Sequence, residues 1–97
     1  MKQHPTSIDG FDTLEAAAIA VGKMRYDAIA VFLRYLREDL AVQQDKDAIA
    51  GKKHLVADTD LVLEALSEAE YQMEALFQKY KHHMAEELEI TPEIEYK

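Results

Sequence analysis

The sequence predicts an all-α protein built as an antiparallel two-helix hairpin that dimerises into a four-helix bundle. Three observations predict it. Two long stretches of strong helix formers carry no Pro, and a polar segment containing Gly51 separates them. Apolar residues recur at alternating steps of three and four, which is the helical period. The first of the two stretches carries an apolar arc too wide for one neighbouring helix to cover.

The elements follow in chain order. Residues 1–11, MKQHPTSIDGF, hold Pro5, Gly10 and turn-forming residues without apolar periodicity, and read as an N-terminal arm. The hairpin domain spans residues 12–90. Asp12 reads as the N-cap of the first helix, with Glu15 in the capping-box position and Phe11 and Ala16 in the staple positions. This helix is expected over about 12–44. A connection over about 45–57 follows, because QQDKDAIAGKK is polar. The same segment would also allow the helix to run on to Ala50 before a Gly51 C-cap. Asp58 and Thr59 are the expected N-caps of a second helix over about 58–89. Pro92 blocks its extension, and residues 91–97 form a C-terminal tail.

In the second helix Val62, Leu66, Ala69, Met73, Leu76, Tyr80 and His83 make a seam of fours and threes, widened on one flank by Leu63, Phe77, Met84 and Leu88. Asp60, Glu64, Glu68 and Glu74 project from the other side. Neither Lys nor Arg occurs between Lys53 and Lys79, so that outer face is acidic.

The first helix carries Leu14, Val21, Ala28, Tyr35 and Val42 in a strict seven-residue series, flanked by Ala17, Met24 and Val31 and by Ala18, Ile29, Phe32, Leu36 and Leu40. Its apolar arc spans roughly 220°, against the ~100° stripe that serves one neighbour. A homodimer supplies the missing cover, with the first helices central. The expected dimer interface is Val21, Ala28, Ile29, Phe32, Leu33, Leu36 and Leu40. Arg25 and Asp39 both fall within this arc, too far apart to meet, and a charge buried there needs a partner. Glu74 comes level with Arg25 in an antiparallel hairpin, with Glu70 a turn away, so Arg25 and Glu74 form the expected buried charge pair; the alternative is that Arg25 carries its guanidinium to solvent from the seam edge.

Composition narrows the function. Ninety-seven residues suit one domain, and a net charge of −8 disfavours nucleic acid and anionic membranes as partners. The absence of Cys removes disulfides, thiolate metal sites and a cysteine nucleophile. No leader or membrane-spanning run is evident, so a cytoplasmic location is expected.

Candidate metal ligands are His82 with Glu86 and His83 with Glu87, at helical four-residue spacing. On an acidic helix such spacing far more often makes solvated ion pairs, and no cofactor is expected. The chain resembles the all-helical nucleotide pyrophosphohydrolases in class, as an acidic helical protein. Their Glu-Glu-x-x-Glu motif is missing, since Glu86-Glu87 is followed three positions later by Ile90. That resemblance implies an alternative reading as a Mg- or Mn-dependent hydrolase with carboxylates assembled across a dimer. A third reading is an acidic mimic of nucleic acid that binds a basic protein.

The main expectation is a non-catalytic protein–protein interaction module, an adaptor, regulator or chaperone-like protein. Its partner-binding face would be Tyr71 with Glu64, Glu68 and Glu74, and its partner a basic protein segment steered by charge.

Overall fold

A computed structural model describes residues 4–90, with side chains through residue 82. The described residues form three helices: α1 (Leu14–Gly22), α2 (Tyr26–Ile49) and α3 (Lys53–Ile90). The tail 91–97 lies outside the described residues.

The arm closes on a turn in which the Phe11 N–H donates to the Ile8 carbonyl at 3.1 Å, with Gly10 at φ 91°. The N-cap of α1 is Thr13, one residue beyond the expected Asp12. Its Oγ1 accepts the Ala16 N–H at 3.0 Å while its backbone stays extended, and Glu15 lies in the first turn.

The expected single first helix is two. The break falls at Gly22–Arg25, where Lys23 N–H donates to Ile19 O and Met24 N–H to Val21 O, and Arg25 takes an extended conformation as the N-cap of α2. The physical reason is the phase of the apolar face. In an unbroken helix, Ala17 and Val21 would point away from the side on which Ala30 and Leu33 lie. The break resets the phase, and Ala17 is only 4% exposed.

α2 also runs further than Gln44, to Ile49, and ends in a Schellman motif. Lys52 N–H donates to Asp47 O and Gly51 N–H to Ala48 O, both at 3.0 Å, with Gly51 at φ 81°. The connection is therefore three residues, 50–52, in place of the expected 45–57. α3 begins at Lys53, so Asp58 and Thr59 lie inside it. The Thr59 hydroxyl caps nothing and donates back to the Leu55 carbonyl at 2.7 Å.

α2 and α3 lie side by side and run in opposite directions. Gln44 Nε2 donates to Val56 O at 2.9 Å and to Asp60 Oδ1 at 2.7 Å, Arg37 reaches Glu70, and the Arg25 guanidinium sits 5.5 Å from the Phe77 ring centre. The α2 seam is Tyr26, Ala30, Leu33, Arg37, Leu40, Gln44 and Asp47; the α3 seam is Val56, Thr59, Leu63, Leu66, Glu70, Met73 and Phe77. All are half-buried except Ala30, which is buried. Both seams step by fours and threes.

Little is enclosed by this pairing. Ala17 and Ala30 are the only buried apolar residues among those described. The chain exposes 8015 Å², where a compact 11.1 kDa monomer exposes roughly 5,700 Å². Its radius of gyration is 17.1 Å, against about 12.5 Å for a compact domain of this length.

Candidate functional site

The largest unexplained feature is an apolar surface, and the helix phases show where it lies. From the seam, turning α2 in the sense that lowers the residue angle, one meets Leu40, Ile29, Leu36 and Phe32. The same sense on α3 meets Val62, Ala69, Leu76 and Tyr80. The helices run antiparallel, so the same sense of rotation leads to the same side of the pair. One broad side is therefore largely apolar, interrupted on α2 by exposed Gln43 and Asp39, where Gln43 Nε2 donates to Asp39 Oδ2 at 2.9 Å. Phe32 is 42% exposed, Leu36 40%, Val62 49% and Tyr80 44%.

The other side of the pair is polar. It carries Asp27, Arg34, Glu38 and Asp45 from α2 and Asp60, Ser67, Glu74 and Gln78 from α3. The far edge of α2 adds exposed Val31, Tyr35 and Val42. Polar groups thus occupy positions inside the α2–α3 seam while large apolar groups face outward, the reverse of what an isolated pair needs.

Of the expected dimer-interface residues, Phe32 and Leu36 are exposed on the apolar side, and Ile29 and Leu40 are half-buried at its edge. Ala28 is half-buried further round α2, and Val21 is half-buried on α1. Leu33 belongs to the seam with α3. The expected α3 seam is shifted by about one position: Leu66 and Met73 belong to the observed one, while Val62 and Tyr80 flank it.

Arg25 makes no pair with Glu74. Its Nε donates to Asp27 Oδ1 at 2.7 Å and its Nη2 to Oδ2 at 3.0 Å, and its side chain is 57% exposed. The break before α2 turns Arg25 out of the arc and into the N-cap, where a carboxylate two residues on is in reach. That hydrogen-bonded guanidinium holds the Asp27 carboxyl below the ordinary carboxylate range, and Asp27 in turn raises Arg25.

Glu74 instead accepts from its own helix, from Gln78 Nε2 at 2.9 Å. The charge pair that crosses the seam is Arg37–Glu70, at 2.6 Å, with side chains 29% and 23% exposed. Sequence reasoning named Glu70 as an acid of the seam but set it a turn from Arg25, where the structure pairs it with Arg37, twelve residues further along. A four-residue step from Leu33 to Arg37 on the inner face would have found it. The Arg37 Nε is buried without a hydrogen-bond partner.

Of the expected partner-binding residues, Tyr71, Glu64 and Glu68 share the outer side of α3, while Glu74 stands on the polar side of the pair. Tyr71 is 67% exposed, and Glu64, Glu68 and Glu74 are exposed as well. Glu68 accepts from Gln72 Nε2 at 2.7 Å. Leu61, missed at the sequence level, is 66% exposed on α3.

His82 is exposed, whereas the side chains of His83, Glu86 and Glu87 lie outside the described residues. Among the described residues no group of three or more His, Asp or Glu side chains comes together to hold a metal ion. None of their helices is long and apolar enough to cross a membrane. Comparison with protein-family models, curated proteins and solved structures returns no match to this chain.

Proposed function

We propose that this chain is a small acidic, non-catalytic protein–protein interaction module that works as a homodimer, two helical hairpins closing into a four-helix bundle. The observation that carries this reading is the uncovered apolar side formed by Phe32, Leu36, Val62 and Tyr80. The excess of exposed surface is about 2,300 Å² per chain, and a stable interface needs about 800 Å² from each partner. A second copy brings the same side and meets the demand by symmetry.

Dimerisation leaves the outer side of α3 to solvent. Tyr71 and Leu61 stand there among Glu64 and Glu68, apolar anchors in an acidic surround. A basic protein segment suits that chemistry, drawn by charge and held by local apolar contact, as in an adaptor, regulator or chaperone-like module.

The test is Phe32→Glu. Phe32 lies off the α2–α3 seam, so the charge should abolish the dimer, halve the sedimenting mass and leave most helicity in place. Unchanged mass and helicity would contradict the assignment of this side as the interface.

A further inference from the structure

We infer that the break at residues 23–25 is a latched hinge: α1 and α2 close into one straight helix when the Arg25–Asp27 pair is removed, and the bent form is the latched state.

Little backbone change separates the two forms. Lys23 is already in the right-handed helical region, at φ −85° and ψ −7°. Arg25 has a helical φ of −60°, and only its ψ departs, at 149° against about −42° in a helix. No residue of the break is Pro or has a positive φ. The N–H groups of Arg25, Tyr26, Asp27 and Ala28 begin α2 without a carbonyl partner in it. Closing the break offers them the carbonyls of Val21, Gly22, Lys23 and Met24.

The apolar pattern suits the straight form as well as the bent one. In the bent form Ala17 is buried and Val21 and Met24 are half-buried, while Leu14 and Ile19 are 56% and 51% exposed. Carried through the break at helical pitch, Ile19 extends the α2 seam of Tyr26, Leu33 and Leu40 by one seven-residue step. Leu14 and Val21 likewise extend the far-edge series of Ala28, Tyr35 and Val42. The lengths agree too. Arg25 lies over Phe77, and α3 runs on from there to Ile90, about 20 Å further. Residues 14–24 span about 17 Å as helix, so the straight helix would end close to the end of α3.

The ion pair opposes closure. Residues two apart on an α-helix point about 200° away from each other, so the two-pronged contact at 2.7 and 3.0 Å exists only while the chain is bent. The bend also keeps the Asp27 charge at a helix N-terminus, a benefit lost in a helix interior. The latch therefore sets whether the apolar far edge runs from Ala28 to Val42 or from Leu14 to Val42.

The chain has no Cys, so spin labels on Glu15→Cys and Lys46→Cys, both exposed positions, report one distance. The experiment is pulsed electron paramagnetic resonance on the full-length labelled chain diluted into unlabelled chain, so that only distances within one chain are read. A straight helix sets the two positions about 46 Å apart, and a bend shortens that. The labelled chain should give the shorter distance. Adding Arg25→Ala or Asp27→Ala should move it to about 46 Å with helicity kept. Tyr26→Pro is the control: its ring would strike the Gly22 carbonyl of a straight helix, yet it fits the first position of α2 behind an extended Arg25. Combined with Arg25→Ala it should restore the shorter distance. A chain without the pair that keeps the shorter distance, or that loses helicity and gives a broad distribution, overturns the hinge. Because the distance lies within one chain, either result leaves the homodimer reading to its own test.

Discussion

At Arg25 and Asp27 one local ion pair does the work of a helix cap. Arg25 offers no side-chain oxygen to the first N–H groups of α2, so Asp27 in the first turn supplies the negative charge that this helix end favours, fixed by a two-pronged guanidinium. The depressed carboxyl gives a pH dependence of definite sign. Its contribution to stability is complete above the unfolded value of about 3.9 and is lost as pH falls through the lower folded value. An NMR titration should place the Asp27 midpoint below that of an ordinary aspartate, and Arg25→Gln should return it to the usual range.

Arg37 and Glu70 make the opposite case, a half-buried pair with one orphaned nitrogen. Glu70→Ala leaves a charge in the seam and should cost about 1–3 kcal/mol in urea unfolding. Replacing both, Arg37→Met with Glu70→Leu, should recover that loss or exceed it, because the pair cost desolvation to bury.

At the scale of elements, Gly51 decides where α2 stops. Gly51 sits at φ 81° with open space around its Cα hydrogens. Gly51→Ala should therefore destabilise by about 1 kcal/mol through backbone strain alone, since no neighbour clashes. Gly22 has equally open space and no positive φ, so Gly22→Ala should stabilise by about 0.5–1 kcal/mol in the same measurement.

The helical class was legible in the sequence because Pro and Gly are few and the four-three period is long. The Gly51 stop was legible as one of two alternatives. The break at Gly22–Arg25 was not. Ala17, Val21 and Met24 continue the apolar series of Ala28 and Tyr35 when read as one helix, and only packing reveals that the two segments face different ways. The phase of α3 misled for a related reason. Val62, Ala69 and Leu76 are as apolar as the true seam, and Thr59 and Glu70 hide two of its positions behind polar names.

For the whole molecule, the wide arc of the first helix was the most informative signal in the sequence, and only the part of it carried by α2 remains once the helix boundaries are corrected. Phe32 and Leu36, chosen from periodicity, are exposed on the apolar side of the finished pair. The charge pair expected for Arg25 did not survive. It depended on a register and a straight helix that the break removes; the same break takes Leu14, Ala17, Ala18, Val21 and Met24 out of the arc and leaves its α2 part, Ala28 to Val42.

The four groups Arg37, Gln44, Asp60 and Glu70 fix how α2 lies on α3 through directed bonds. The larger apolar groups remain for association. Sedimentation equilibrium of the full-length chain at micromolar concentration tests this most directly. A species of twice the 11.1 kDa chain mass is expected. A single species of the chain mass, unchanged as concentration rises, would contradict it.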